Sequence, residues 1–212
     1  MLLQQKTKLP WPATIFAVAA GIIYNSWPLG YWLNPTVARH SLASGLEANG
    51  QPYNWLFVGG DIVSSVLVIV CCWLLWRRFG RGRSAALVGV AVGCIALFGI
   101  STIVDALLPE YCVPGVQQCA SFTQDHWLLV HGMFSILASV CLCLGLVLVW
   151  WRRRTSVLLN ALLGAYVVFG LLSLVQAVAP VAAGNWSQDY YMALCGVWLA
   201  VAPFAICLVA AD

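Results

Sequence analysis

The sequence predicts an all-α polytopic membrane protein, a six-helix transmembrane bundle with both termini cytoplasmic. Three observations carry that prediction. Apolar runs of about 20 residues recur along the chain, each long enough to cross a hydrocarbon core of roughly 30 Å as a helix. Of 212 residues, 62% are hydrophobic and only 8% charged, against a soluble norm of roughly 25% charged, so a soluble core of this size could not hide the apolar surface. Nine of the ten basic residues (Lys6, Lys8, Arg77, Arg78, Arg81, Arg83, Arg152, Arg153 and Arg154) lie at the N-terminus and in two short loops, with Arg39 alone elsewhere. By the positive-inside rule those three segments face the cytoplasm.

Each element follows in order. The first span covers about 11–29, after the basic tail MLLQQKTK. It is full length and lacks a small-residue cleavage site, so it reads as a span and not as a cleavable signal. It runs into YNSWPLGYWLNP, where Trp27, Tyr31 and Trp32 form an interfacial aromatic belt. Residues 34–54 are polar and punctuated by Gly and Pro, an outer loop with part of it expected as a short surface helix. Span two, about 55–76, is stopped by RRFGRGRS, and span three, about 85–108, ends at Pro109. A cysteine-bearing loop follows. Span four, about 126–151, is stopped by RRR; span five, about 156–179, ends at Pro180; VAAGNWSQD leads into span six, about 190–210. Five or seven spans would put an arginine cluster outside. Residues 1–212 therefore form one transmembrane domain.

The acids and histidines take the opposite distribution. Glu47, Asp61, Asp105, Glu110, Asp125 and Asp189 all fall in outer loops or the outer part of a span, as do His40, His126 and His131; only Asp212 is placed inside. The inner half should be apolar and the outer half polar. A weak internal repeat sets Phe98, Gly99, Val104, Ala106 and Pro109 of span three against Phe169, Gly170, Val175, Ala177 and Pro180 of span five, with Asp105 matched to Gln176. Two helical hairpins related by an axis along the membrane normal would give such a pattern; so would chance among Leu/Val/Ala/Gly-rich helices.

Candidate chemistry follows from intramembrane polar groups, which should face the bundle or a watered cavity. Asp61 enters span two with Ser64 and Ser65 at i+3 and i+4 on its face. His131 sits at comparable depth in span four, with Ser135 and Ser139 continuing its stripe. Asp105 ends span three above Ser101 and Thr102, and Ser173 with Gln176 marks span five. The predicted ligand-binding set is Asp61, Ser64, Ser65, Asp105, His126, His131, Ser135 and Gln176; the catalytic candidates are His131, Asp61 and Asp105. The same stripes fit a plain helix clamp, such as an Asp61–His131 hydrogen bond, since interhelical polar bonds are common glue. No motif requires a cofactor. Zinc would need three or more of His40, His126, His131, Asp61, Asp105 and Glu110 to converge, and His126 and His131, five apart, do not share a face as an i, i+4 pair does. No nucleophile elbow or HExxH is present.

Cys112 and Cys119 lie in an outer loop in an oxidising compartment, where a disulfide is the natural reading. The seven other cysteines are in spans and read as small packing residues. The arginine clusters lack the basic face of a folded nucleic-acid-binding domain; membrane lipids, anionic ones included, are the expected partners. Neither the ligand nor the oligomeric state is legible.

YNSWPLGYWLNP, SLASGLEANGQPYNWLFVGGD, and STIVDALLPEYC with a second cysteine and a following His131 together resemble a bacterial membrane family, domain of unknown function 998, over roughly Tyr24 to Ser139. The resemblance implies a multi-span fold with an acid–cysteine–histidine outer cluster, and no activity. A more distant likeness, to membrane-embedded ceramidase-like hydrolases, rests on Ser, Asp and His near one face, without their paired histidines at i, i+4. The leading expectation is a polar outer-leaflet vestibule for a lipid or small polar ligand, with transport as one use of it. The alternatives are an intramembrane lipid hydrolase with a His/Asp site, or a structural membrane subunit.

Overall fold

The computed structural model describes residues 9–82, 84–108, 110–113, 116–117, 126–178 and 186–211. Among these residues the elements are helical, and six stretches are long and apolar enough to cross a membrane. The long helices are α1 (Trp11–Tyr24), α2 (Asn54–Phe79), α3 (Ala85–Ala106), α4 (His126–Arg152), α5 (Val157–Val178) and α6 (Trp186–Ala210).

Local chemistry explains where they stop. α1 ends at Tyr24 because the Asn25 side chain donates to the Gly21 carbonyl (2.9 Å) and Pro28 cannot continue the ladder. A 3-10 turn, Trp27–Leu29, and a short helix, Gly30–Leu33, extend the apolar stretch to Leu33. α2 carries Arg77 and Arg78 in its last turn, opposite the negative end of the helix dipole, and stops at Gly80. α3 stops at Ala106, short of the expected Leu108. α6 starts at Trp186, ahead of the expected residue 190: Ser187 is fully buried, and Asp189 sits in the first turn, where the dipole favours an acid.

The helices run up and down in sequence order. Ser64 donates to the Ala20 carbonyl (2.9 Å) while Cys71 reaches the Ala13 carbonyl (3.3 Å), so α1 and α2 are antiparallel. Gly99 lies beside Ser65 and Gly89 beneath Trp76, which orders α2 against α3. Ser135 meets Asp105 while Gly145 abuts Ala91 and Ile95, which orders α3 against α4. α1 closes against α6 at two facing glycines. A Cβ on Gly21 would lie 2.4 Å from the Gly196 carbonyl oxygen, and one on Gly196 would lie 2.7 Å from that of Gly21. No side chain larger than hydrogen fits there without moving a backbone.

The main core runs between these helices around Phe98, Leu142, Leu146, Trp198 and Ile206. The two arginine-turned hairpins pack differently. α2 and α3 lie against each other extensively, whereas α5 touches α4 lightly and rests mainly on α6. The repeat seen in the sequence therefore does not extend to how the two hairpins pack. Much of α5 faces outward, including Val157, Leu158, Leu171 and Val175.

At the end opposite the arginine-bearing turns, residues 34–51 form a strap. It contains a short helix, Pro35–His40, and a 3-10 turn, Ala43–Leu46. A second small core anchors it: Val37, Ala38, Leu46 and Ala48 pack with Phe57 and Val113. Asn34 donates to Gln51 (3.0 Å) across the strap's base. The Ala43 amide donates to Gln188 of α6 (2.6 Å). The strap is thus folded onto the bundle and not loosely draped over it.

Candidate functional site

The site is assembled from the ends of α3 and α4, the loop after α3, and the strap. His131 lies in the second turn of α4, 4% exposed. Its helix turns Leu128, His131 and Ala138 inward while Trp127, Leu129 and Val130 face out. Ser135, one turn on, shares the His131 face and donates to Asp105 Oδ2 (2.8 Å).

The imidazole is engaged at both nitrogens. Nδ1 lies 3.1 Å from the Leu108 carbonyl oxygen and 3.1 Å from Asp105 Oδ1. A carbonyl can only accept, so Nδ1 carries a proton. Asp105 Oδ1 is buried and has no well-aligned hydrogen bond; its contact with the ring is electrostatic. Nε2 lies 3.3 Å from Glu110 Oε1. That contact is an ion pair when the imidazole is protonated. Glu110 is 7% exposed, accepts from Ser44 of the strap (3.1 Å), and its backbone oxygen accepts from the Asn49 amide (2.8 Å). The same residue therefore ties His131 to the strap.

A second pair adjoins the first. The Glu47 carboxyl hydrogen-bonds to Asp61. The residue keeps some exposed surface, but its carboxyl group is enclosed. Burial first, then the charges of Asp61 and Asp105, the bond to Asp61 and the charge of Glu110, push the Glu47 carboxyl well above the ordinary carboxylate range. Two carboxylates cannot hydrogen-bond without a proton between them. The group holds four carboxyls, Glu47, Asp61, Asp105 and Glu110, around one imidazole. Fully ionised, it would carry an uncompensated negative charge in a low-dielectric setting, a state that protonation relieves.

The expected site residues divide accordingly. Asp105, His131 and Ser135 meet as a unit. Asp61 joins the same acidic group, but its bonded partner is Glu47; an Asp61–His131 bond is replaced because the strap inserts Glu47 while Glu110 takes His131. Ser64 is spent on the Ala20 carbonyl, and Ser65 is fully buried with no hydrogen-bond partner for its hydroxyl. His126 is exposed at the start of α4. Gln176 accepts from Ser187, tying α5 to α6. Cys112 is half-buried in the loop after α3, and Cys119 lies outside the described residues. No group of three or more His, Cys, Asp or Glu is arranged to hold a metal ion among the described residues.

Sequence reasoning missed the strap's contribution, Ser44 and Glu47, and did not put Glu110 in the binding set. The signal available was that both glutamates are rare charges in a chain with few. It also missed a second polar island deeper in the bundle. Tyr166 donates to the Ser139 carbonyl (3.1 Å) and pairs with Tyr191 (2.7 Å), with Cys195 alongside.

The family described as "Protein of unknown function (DUF998)" matches residues 17–211. Among curated proteins, the chain is similar to a heme A synthase of Rhodospirillum centenum, 32% identical over 108 residues. The match covers 46% of this chain and 28% of that enzyme, so the chain spans little more than a quarter of its relative. No solved structure matches.

Proposed function

The chain belongs to the DUF998 family, and we propose that it is a cell-membrane protein whose acid–imidazole cluster binds a small polar ligand or lipid headgroup in exchange for protons, as a transporter would. One observation supports this reading above others: four carboxyls and one imidazole are enclosed together and linked in pairs. Such a group must keep protons when empty, and a ligand bearing N–H or O–H donors can displace them. Intramembrane Asp, Glu and His groups of this kind mark proton and substrate paths. The strap closes the group from the near membrane face and would have to lift for exchange, with Glu110 as the link that registers the state of His131.

The orientation belongs to the same proposal. The arginine-bearing turns and both termini are cytoplasmic, which puts the cluster and strap on the outer side. There a Cys112–Cys119 disulfide would close the loop that carries Glu110, stabilising it by roughly 2–3 kcal/mol.

The hydrolase alternative has less support. Ser135 donates its hydrogen bond to Asp105, and both His131 nitrogens are occupied, so no base nitrogen faces a serine. A zinc-dependent version would need Asp105, Glu110 and His131 to turn toward one point, which metal analysis of the purified protein checks. The likeness to heme A synthase covers too little of either chain to add an activity.

Infrared spectroscopy of the purified protein tests the proposal. At neutral pH the wild type should show a protonated-carboxyl band that Glu47→Gln with Asp61→Asn removes. Added ethanolamine should diminish that band. A wild-type spectrum without the band, or a band indifferent to ethanolamine and glycerol alike, reduces the cluster to a helix clamp.

A further inference from the structure

A cavity of about 590 Å³ lies far from the acid cluster, between α2 and α3 toward the arginine-bearing turn. That volume is within the range of about 300–1,000 Å³ typical of small-molecule sites. Its walls are Ile69, Trp73 and Trp76 on α2 and Gly89, Val90 and Gly93 on α3, with other small residues between. Trp73, Trp76 and Val90 are exposed, so the groove opens sideways into the membrane.

The glycines have distinct roles. A Cβ on Gly89 would press within 2.7 Å of the Trp76 ring, so that glycine lets the indole lie across α3. A Cβ on Gly93 would meet nothing within 4 Å. Gly93 therefore borders open space, and the groove's depth there depends on its missing side chain.

The groove has a charged mouth. The Arg77 guanidinium lies 4.9 Å above the Trp73 ring, and Trp73 itself lines the cavity. Arg81 is exposed in the turn just beyond. Among the described residues all the carboxylates belong to the helix ends and strap at the other end of the bundle, so the described charges at this mouth are all positive. An apolar slot at hydrocarbon depth, framed by tryptophans and topped by guanidinium groups, has the amphipathic order of a phospholipid.

We propose that this groove is a site for an anionic diacyl phospholipid. One acyl chain lies between α2 and α3 along Gly93 and Ala96, beside the Trp76 indole that covers Gly89, and the phosphate is held by Arg77 and Arg81. The chain fills a void that other lipids could also fill. The preference for an anionic headgroup comes from the guanidinium–phosphate contacts, which are charge-assisted and can be bidentate. The site is independent of the acid cluster and of any ligand there.

The test is native mass spectrometry of the purified protein in a neutral detergent, titrated with phosphatidylglycerol or with phosphatidylcholine of the same chains. Wild type should retain one phosphatidylglycerol in preference to phosphatidylcholine. Arg77→Gln with Arg81→Gln should cut phosphatidylglycerol retention roughly 20-fold and abolish the preference. Gly93→Phe, which fills the slot without a backbone clash, should reduce retention of both lipids. Val90→Trp, on the groove's membrane-facing rim, should do the same and serves if Gly93→Phe does not fold. No headgroup preference in wild type, or undiminished retention in both filling variants, overturns the proposal. So does loss of a dimer in place of loss of lipid, which would make a second copy the occupant.

Discussion

The seam around α1 and the group at the ends of α3 and α4 both join helices, by opposite means. Along α1 the contacts run onto backbone: Gly21 meets Gly196, Ser64 and Cys71 reach the carbonyls of Ala20 and Ala13, and no carboxylate or imidazole forms any of these three contacts. At the acid end the contacts run between side chains that gain or lose protons, and one of them, Glu110, holds the strap as well. In a membrane, helix association draws on close packing and polar contacts more than on hydrophobic transfer. The seam uses the first and the acid end the second. Solution conditions should therefore act on one region and pass over the other.

The sharpest break in that comparison comes from Glu110→Ala. It removes the acceptor of Ser44 and the carboxyl at His131 Nε2, leaving that buried ring nitrogen without its partner. The expected loss is about 3–5 kcal/mol, the cost of deleting one member of a buried pair, read as a lower midpoint in detergent unfolding. Glu110→Gln keeps an oxygen acceptor and should recover a large part. An Ala variant as stable as wild type would mean that the strap and His131 do not depend on this link.

On the seam, Gly196→Ala is the matching test. The new Cβ would meet the Asn25 side-chain nitrogen as well as the Gly21 carbonyl oxygen at 2.7 Å, so α1 must shift. Overpacking of this kind costs about 1–3 kcal/mol. The loss should be the same at pH 5 and pH 8, because nothing at the contact titrates. A loss that grew with pH would show the two regions to be coupled through α1.

Glu47→Gln sharpens the contrast from the other side. The folded chain holds the Glu47 proton to a higher pH than the unfolded chain, whose carboxyl titrates near its ordinary 4.5. Its stabilising contribution is complete below that value and drains away as pH rises through the folded pKa, by at most about 1.4 kcal/mol per pH unit. Gln cannot lose the proton. The variant should match wild type near pH 5 and exceed it at pH 8 in unfolding midpoint; parallel curves for the two proteins would remove Glu47 from the pH-sensitive group.

Much of this contrast was legible in the chain itself. Six membrane-length apolar runs are unmistakable because every residue of a span must suit hydrocarbon, and Asp105, His131 and Ser135 stood out because a polar group at that depth has few harmless explanations. Glu47 and Glu110 were visible as loop acids, but their partners were not. Loop-to-helix contacts follow no period, and the strap returns to the bundle through Val37, Leu46 and Phe57, a core too small to leave a pattern. Gln176 entered the expected site by analogy with Asp105, yet α5 packs on α6 and not along α4 as α3 does, so equal sequence positions meet unequal neighbours. Tyr166 and Tyr191 gave no signal because a hydroxyl's partner across the bundle is invisible one helix at a time.

Ser64→Ala is the smallest and most discriminating change. Ser64 lies one turn below Asp61 on α2, and its position alone would assign it to the acid group. The structure assigns it to the seam, since its hydroxyl donates to the Ala20 carbonyl, an oxygen that already accepts within α1. Removing it should cost about 0.6 kcal/mol, the average for an interhelical bond in a membrane protein, with no dependence on pH and no change in the carboxyl infrared band. A shift of that band in Ser64→Ala would mean that the acid group reaches one turn deeper along α2, and that seam and site share a residue after all.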